Sequence, residues 1–372
     1  MNGFRFLHSG DLHLGRRFGM LPEDLRGRLI EARHDVLPRL AQAARDHGAR
    51  DILLAGDTFD TETPSDPVWR QALAAMAADP ALRWWILPGN HDSLAAETLW
   101  PRVTAQAPAN VRPILTADPV PLSEAVTLLP APLPHRHAGR DLTAWMDTCP
   151  TPEGVLRLGL AHGPIAGFGD ETDEVIDPTR ADRAGLAYLA LGDWHGARRI
   201  GARTAYAGTP EPDAFGLIGA GTCMAVTLGA TAPEVKTVPI GRFSWPEIDL
   251  TLVPGLNPGT ALDQALPPPG PARRDILARV LARGRCSLPD RLALDRMIAA
   301  TRPEFGLLDL RDTDLTTEIT AEALDTMLPA GALRHAAEAL AAEAGDPARA
   351  QADRRIAEDA LNRLAALVAE AE

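Results

Sequence analysis

The stretch Phe4-Arg5-Phe6-Leu7-His8-Ser9-Gly10-Asp11-Leu12-His13-Leu14-Gly15 carries the signal from which the fold can be read. Residues 4–8 are mostly apolar and too few for an ordinary helix, so they read as a short strand. A carboxylate and an imidazole two residues apart follow at once, flanked by Gly10 and Gly15. The arrangement recurs down the chain. Strand candidates at 51–55, 84–87, 155–161 and 186–191 run into Gly56-Asp57-Thr58-Phe59-Asp60, Gly89-Asn90-His91-Asp92, His162-Gly163 and Gly192-Asp193-Trp194-His195. In an open α/β sheet, ligands bind beyond the carboxyl ends of the strands, so these five motifs are expected to converge on one site.

Amphipathic stretches separate the strands. A helix is expected over 23–46, with Leu25, Leu29, Val36, Leu40 and Ala43 near one face and a bend at Pro38. A second fits 66–78. A further strand is expected at 126–129, and those at 203–206, 223–228 and 235–240 succeed one another without helices, so the sheet should finish antiparallel. The expected fold is an α/β sandwich, two packed mixed sheets flanked by helices, over residues 1–245. Composition shifts after Trp245-Pro246. A Pro/Gly-rich stretch at 253–271 with a short helix at 260–266 leads to a strand at 276–282, a helix opening at Ser287, and a strand at 306–310. This reads as a small α/β domain over 246–315, followed by a helical tail over 316–372. Leu333, Ala337, Leu340, Ile356, Leu361, Leu364 and Val368 give that tail its apolar spacing. No internal repeat is visible.

Length and composition agree with this division. At roughly 150 residues per domain, 372 residues suggest two domains and a small third. Hydrophobic content of 45% with 23% charged residues excludes disordered and fibrous classes. Lys+Arg 37 against Asp+Glu 50 gives −13, which argues against binding nucleic acid or an anionic membrane through the overall field. Lys236 is the single lysine. Cys149, Cys223 and Cys286 are odd in number and far apart, so reduced, buried thiols are expected rather than a disulfide framework or a cysteine zinc site. With no signal peptide and no long apolar run, a cytoplasmic protein without a membrane span is expected.

Asp11, His13, Asp57, Asn90, His162, Asp193 and His195 offer oxygen and imidazole nitrogen without sulfur, a donor set suited to Mn²⁺, Mg²⁺, Fe or Zn²⁺. Seven such donors exceed the needs of one ion and suit two. Any one motif could serve as a turn or helix cap. All five in order at strand ends favour the metal reading.

Together the motifs resemble the calcineurin-like metallophosphoesterase superfamily, whose signature is D-x-H, GD-x-x-D, GNH-D/E, a lone H and GH-x-H. The resemblance implies a bridged two-metal centre. Asp11, His13 and His195 would hold the first ion, Asp57 would bridge, and Asn90 and His162 would hold the second. Asp193 stands where the family has the first histidine of GH-x-H, so its ligand role is the one departure. Two cations about 3.5–4 Å apart activate a bridging hydroxide and clamp the phosphoryl oxygens for in-line attack. His91 is read as the catalytic non-ligand that meets the leaving oxygen, with Asp92 orienting it and Asp60 bracing the ligands.

Two further features are similar to the SbcD-like DNA exonucleases of that superfamily. One is Tyr206-Ala207-Gly208-Thr209 leading to Phe215-Gly216; the other is the small domain after residue 246, which resembles their capping domain. The resemblance implies DNA as substrate, Mn²⁺ as metal, a role in DNA repair, and an SbcC-like SMC-type ATPase as partner. The helical tail is a candidate contact for that ATPase, and a homodimer is an option. Arg16, Arg17, Arg198, Arg199 and Arg203 adjoin the first and last motifs and are expected to rim the cleft for DNA. Phe18 and Trp194 are the nearest aromatics, and Trp194 reads as packing. The acidic run 169–174 reads as a solvated loop. Other readings are a phosphatase or small-molecule phosphodiesterase, and a non-catalytic DNA- or ATPase-binding subunit whose second metal site Asp193 has weakened.

Overall fold

A computed structural model describes residues 3–166, 175–217, 220–229, 232–318 and 330–371. The acidic run 169–174 and the first part of the tail, 321–329, lie outside the described residues.

Alternation along the strands explains the architecture. In β1 (Phe4–Ser9), Phe6 and Leu7 enter two different cores. Along β2 (Asp51–Leu54), Ile52 and Leu54 enter one core and Leu53 the other; in β3 (Arg83–Ile86), Trp84 and Ile86 are opposed by Trp85. Successive side chains of a strand point to opposite faces, and a strand buried on both reads as a near-continuous apolar run.

The first core lies between this sheet and the helices α2 (Val36–Asp46), α3 (Asp66–Ala77) and α4 (Leu99–Gln106), with Leu40, Trp69 and Trp100 fully buried; the preceding α1 (Glu23–His34) buries Leu25, Leu29 and Ala32 outside that cluster. The second lies between two sheets, joining Phe6, Leu53 and Trp85 to Leu128, Leu158 and Tyr188. A third covers the far face of the second sheet around Leu129, Leu189 and Ala181, the last from the short α5 (Arg180–Arg183).

Both sheets have six strands and mixed direction. In the first, β1, β2, β3 and β4 (Val111–Pro113) are parallel; β11 (Thr222–Leu228) joins β1 antiparallel, and β12 (Glu234–Pro239) closes that edge antiparallel. In the second, β6 (Val126–Ala131), β7 (Leu156–His162), β8 (Tyr188–Gly192) and β10 (Thr204–Tyr206) are parallel. The antiparallel edges are β5 (Val120–Ser123) and β9 (Arg198–Arg199). The expected sandwich is what the chain forms, but the antiparallel finish holds only for β11 and β12; β10, expected with them, runs parallel to β8 in the second sheet.

One helix differs from expectation. Residues 23–46 form two helices broken at Asp35, not one helix bent at Pro38. The ring of a proline clashes with the carbonyl four residues back, here that of His34, so the first helix must stop before Pro38. Pro38 then sits in the first turn of α2, where its missing N–H leaves nothing unpaired.

The chain divides into two compact units, Met1–Ser244 and Trp245–Glu372. In the second unit β13 (Glu247–Leu252), β14 (Leu277–Ser287) and β15 (Leu307–Glu318) form a parallel sheet. Parallel neighbours need crossovers, supplied by α6 (Pro258–Ala265) and α7 (Leu288–Thr301). The Ser287 hydroxyl caps α7 by accepting from the Asp290 N–H.

The described part of the helical tail packs within the second unit. Ala337 of α8 (Ala332–Gly345) and Leu361 and Ala365 of α9 (Gln351–Ala371) pack on Leu288 and Leu292 of α7. The Thr317 N–H at the end of β15 donates to Glu358 of α9 at 2.5 Å. Cys149, Cys223 and Cys286 are free and buried, and burial pushes the Cys223 thiol up to about 12. No helix among the described residues is long and apolar enough to cross a membrane.

Candidate metal centre

Five chain segments leave the strand ends, and four of them pair through their backbones. The Asp11 N–H donates to the Gly56 carbonyl at 3.1 Å, and that of His13 to the Asp57 carbonyl at 2.9 Å. On the other sheet, the Gly163 N–H donates to the Gly192 carbonyl at 3.1 Å. Asp11, His13, Asp57 and Asp193 all hold positive φ, at 53, 46, 52 and 107°. Side-chain-bearing residues avoid that region, at about 1–3 kcal/mol each. Two glycines are required by close approach. A Cβ at Gly89 would lie 2.2 Å from Asp57 Oδ1, and one at Gly192 would lie 1.9 Å from the Ala55 carbonyl oxygen.

The side chains converge as follows. Asp57 Oδ1 accepts the His91 N–H at 2.8 Å, which aims Oδ2 at the centre. That oxygen lies 3.6 Å from His13 Nε2 and 3.6 Å from His162 Nε2, between the two halves of the donor set. On the His13 side, His195 Nε2 lies 3.2 Å from His13 Nε2. On the other, Asn90 Oδ1 and Asp193 Oδ1 stand 3.3 and 3.7 Å from His162 Nε2. Asp11 accepts the Asp193 N–H on both carboxylate oxygens, at 3.0 and 3.2 Å. The structure therefore brings all seven expected donors together, Asp193 included.

This arrangement passes a chemical test for cation binding. His195 gives its Nδ1–H to Asp213 Oδ1 at 3.2 Å, and His162 gives its Nδ1–H to the Ala55 carbonyl at 2.8 Å. Both therefore turn Nε2, the nitrogen left for a cation, inward. Two imidazole lone pairs facing each other at the His13–His195 distance repel unless a proton or a metal lies between them. Ligand atoms of Asp11, His13 and His195, and of Asp11, Asp57 and His162, fall within 4.8 Å of one another as two sets sharing Asp11. The residues fit two divalent cations.

Protonation follows the same crowding. Burial, with Asp57 and Asp193 close by, pushes the Asp11 carboxyl up to about 6. Burial works against a charged His162, but Asp57, Asp11 and Asp193 outweigh it and raise the imidazole to about 9. Burial also opposes charge on His195; its bond to Asp213 and the nearby Asp11 outweigh that and raise it. Without metal the centre holds protons where cations would sit.

A bracing layer surrounds the donors, and sequence reasoning missed most of it. Asp213 is buried between His195 and Arg16, whose guanidinium lies 3.1 Å away, and Arg33 at 3.7 Å. Burial alone would raise the Asp213 carboxyl; His195 and Arg33 instead hold it well below the usual carboxylate range. Arg33, fully buried, donates to the Leu12 and Glu211 carbonyls at 2.6 and 2.9 Å. The Thr209 hydroxyl lies 2.9 Å from the Asp11 carbonyl oxygen, and the Tyr206 hydroxyl donates to the Gly163 carbonyl at 2.8 Å. The segment from Tyr206 to Asp213, noted in the sequence for its resemblance, thus holds the ligand loops in place. Two carboxylates in an otherwise apolar, proline-rich segment were the signal that could have exposed Glu211 and Asp213.

Three expectations change. Asp92 does not orient His91: its buried carboxylate accepts from the Gly89 and Phe59 N–H groups at 2.7 and 3.0 Å and so shapes the loop. His91 is instead oriented by the main-chain carbonyl of Asp60, which accepts its Nδ1–H at 2.9 Å. Asp60 keeps its bracing place, with Oδ1 3.3 Å from His13 Nδ1. Trp194 is not packing; it is 49% exposed and shares a cleft with Asp193 and Arg198. Among the expected DNA-rim arginines, Arg16 is committed to Asp213, while Arg203 reaches Asp182 at 3.8 Å. Arg199 donates to the Ala202 carbonyl at 3.3 Å, and Arg17 is exposed.

The family model of the calcineurin-like phosphoesterases matches residues 4–197, the span that carries all five motifs. The chain belongs to the calcineurin-like phosphoesterases. As a calcineurin-like phosphoesterase it is a metal-dependent hydrolase. The SbcD component of the SbcCD nuclease of Rhodobacter capsulatus is 28% identical over 388 aligned positions, covering 89% of this chain and 85% of that protein. Its namesake from Bacillus subtilis is 33% identical over 92 positions, 24% of this chain and 22% of its own. A solved structure from Thermus thermophilus superposes with a TM-score of 0.42 at 12% identity, over 64% of this chain and 99% of that one.

Proposed function

We propose that this phosphoesterase hydrolyses phosphodiester bonds in DNA, as an SbcD-like exonuclease or endonuclease of cytoplasmic DNA repair partnered by an SbcC-like SMC-type ATPase. The observation that carries this reading is the span of the Rhodobacter relative. Its match takes in 89% of the chain, so it extends well past residue 197, where the general phosphoesterase match ends. A resemblance through the second unit is what a shared substrate class requires and a shared hydrolytic centre alone does not.

Asp11, His13 and His195 are assigned to one ion, Asn90, His162 and Asp193 to the other, and Asp57 to both. Bound divalent ions, assigned as Mn²⁺, supply Lewis acidity toward the phosphoryl oxygens and toward water. The chain's own residues do the rest. Asp213 and the Ala55 carbonyl fix the His195 and His162 tautomers. His91, with Nδ1–H committed to the Asp60 carbonyl, presents Nε2 to the leaving oxygen and in its doubly protonated form donates the Nε2 proton there.

The test is incubation of the purified protein with Mn²⁺ and linear duplex DNA, alone and with the candidate ATPase. Metal-dependent cleavage is expected. Its absence in both mixtures overturns the reading, and turnover of phosphomonoesters with the DNA left intact replaces it with a phosphatase.

A further inference from the structure

Beside the second half of the donor set lies a cleft of about 320 Å³ into which Asn90, His162 and Asp193 open. Its walls come from the segment after β6 and from the end of β7 and the chain beyond it. Leu133, Leu142 and Ile176 give it apolar surface, and Arg136 and Arg140 stand at its rim. Both arginines are exposed, and neither has a hydrogen-bond or ion-pair partner among the described residues. That is unusual company for a catalytic centre in this chain, where Arg16 and Arg33 are paired with carboxylates. Two unpaired guanidinium groups next to a site that handles a phosphoester are matched to a second anion, because guanidinium binds phosphate oxygens through paired N–H donors. The cleft volume is at the lower end of small-ligand pockets, the scale of one nucleotide rather than of a duplex.

We infer that Arg136 and Arg140 form a subsite for the phosphate adjacent to the scissile one, with the intervening nucleoside seated against Leu133, Leu142 and Ile176. This rests on the DNA reading above and deepens it. The centre would then favour a strand carrying at least two successive phosphates over a lone diester. No covalent step is added, since the arginines position the strand and do not touch the reacting atoms.

The test compares two substrates and one binding probe. For R136Q/R140Q with Mn²⁺, kcat/KM on bis(p-nitrophenyl) phosphate, a diester with one phosphate, is expected to stay within about twofold of wild type. On a single-stranded DNA oligonucleotide it is expected to fall at least tenfold, mainly through KM. In EDTA, where no turnover occurs, the same variant is expected to bind a fluorescein-labelled oligonucleotide more weakly and with a shallower salt dependence, the slope of log K against log[salt] dropping by about 0.7 for the one phosphate no longer neutralised. The R136K/R140K variant should recover most of the lost affinity. Equal loss on both substrates, or no loss on either, overturns the subsite. If the wild type hydrolyses the small diester but never the oligonucleotide, the DNA reading fails instead, and that result is separate from any effect of the arginines.

Discussion

His195 and His8 show how single contacts tune this protein. The donor loops already carry backbone strain at Asp11, His13, Asp57 and Asp193, so the orientation of each ligand rests on its partners. Asp213 is the partner of His195. Replacing Asp213 with Asn keeps the size but removes the charge, and partners of this kind are worth about 10–100-fold in metal affinity. We expect that loss for Mn²⁺ in Asp213→Asn by calorimetric titration, and an unchanged affinity would remove Asp213 from the bracing layer. His8 is fully buried, donates Nε2–H to the Leu191 carbonyl at 3.1 Å, and so accepts from the Tyr188 hydroxyl at Nδ1, also at 3.1 Å. Burial pushes its pKa down from 6.5 to about 4. The unfolded chain therefore binds this proton more readily, and the contribution is present in full above pH 6.5 and lost as pH falls toward 4. Its size is about 3 kcal/mol. Asp11 and His162 titrate with the opposite sign, their raised values favouring protons in the folded state. The quantity to measure is thus the difference in urea stability between wild type and His8→Gln across pH 4–7. That difference should shrink as the pH is lowered; one independent of pH would show that His8 is not held neutral.

At the scale of elements, the strand-end loops were legible because each couples an apolar run to glycine and a donor within a few residues, a strictly local signal. Gly89 is the sharpest case. With Asp57 Oδ1 2.2 Å and the Asp57 N 2.4 Å from where a Cβ would lie, Gly89→Ala must displace the carboxylate that lies between the two donor sets. A loss of at least a hundredfold in activity is expected with the far-ultraviolet circular dichroism retained; activity near wild type would mean the loop can shift without cost. What was not legible depended on distance in sequence. Asp213 meets His195 through a turn after β10, and the orientation of His91 by a main-chain carbonyl leaves no trace in residue type. The edge strands β4 and β9 have three and two residues, too few for any periodicity. The tail's helical spacing was visible, but not the surface it covers. Leu361 is fully buried against α7, whereas Ile356 and Leu367 on the same helix are 66% and 58% exposed. Leu361→Ala should therefore cost the second unit about 2–4 kcal/mol. The corresponding Ile356→Ala change should cost well under 1 kcal/mol, as surface substitutions do. Equal effects in a thermal or urea melt would contradict this packing.

For the whole molecule, the proposed DNA substrate raises the question of how a chain of net charge −13 would engage a polyanion. Part of the acidity is local to the centre, where Asp11, Asp57 and Asp193 would be answered by the divalent cations assigned to them. The remainder is spread over both units and is densest after residue 245, so the long-range field still repels DNA. Non-specific affinity comes from the number of phosphates neutralised, and arginines already paired with carboxylates, such as Arg16 and Arg33, add little to that number. The chain alone should thus bind duplex DNA at the weak end of non-specific affinities, with Kd on the order of 10⁻⁴ M at physiological salt. An ATPase partner that grips DNA would turn the encounter into an intramolecular one, at an effective concentration that can reach the millimolar range. Fluorescence anisotropy with a labelled duplex in 0.15 M salt, with and without the partner, checks this. Weak binding that tightens by two orders of magnitude or more in the complex is expected. Micromolar or tighter binding by the isolated chain would mean that its local basic surface outweighs its net charge, and would relieve the partner of that role.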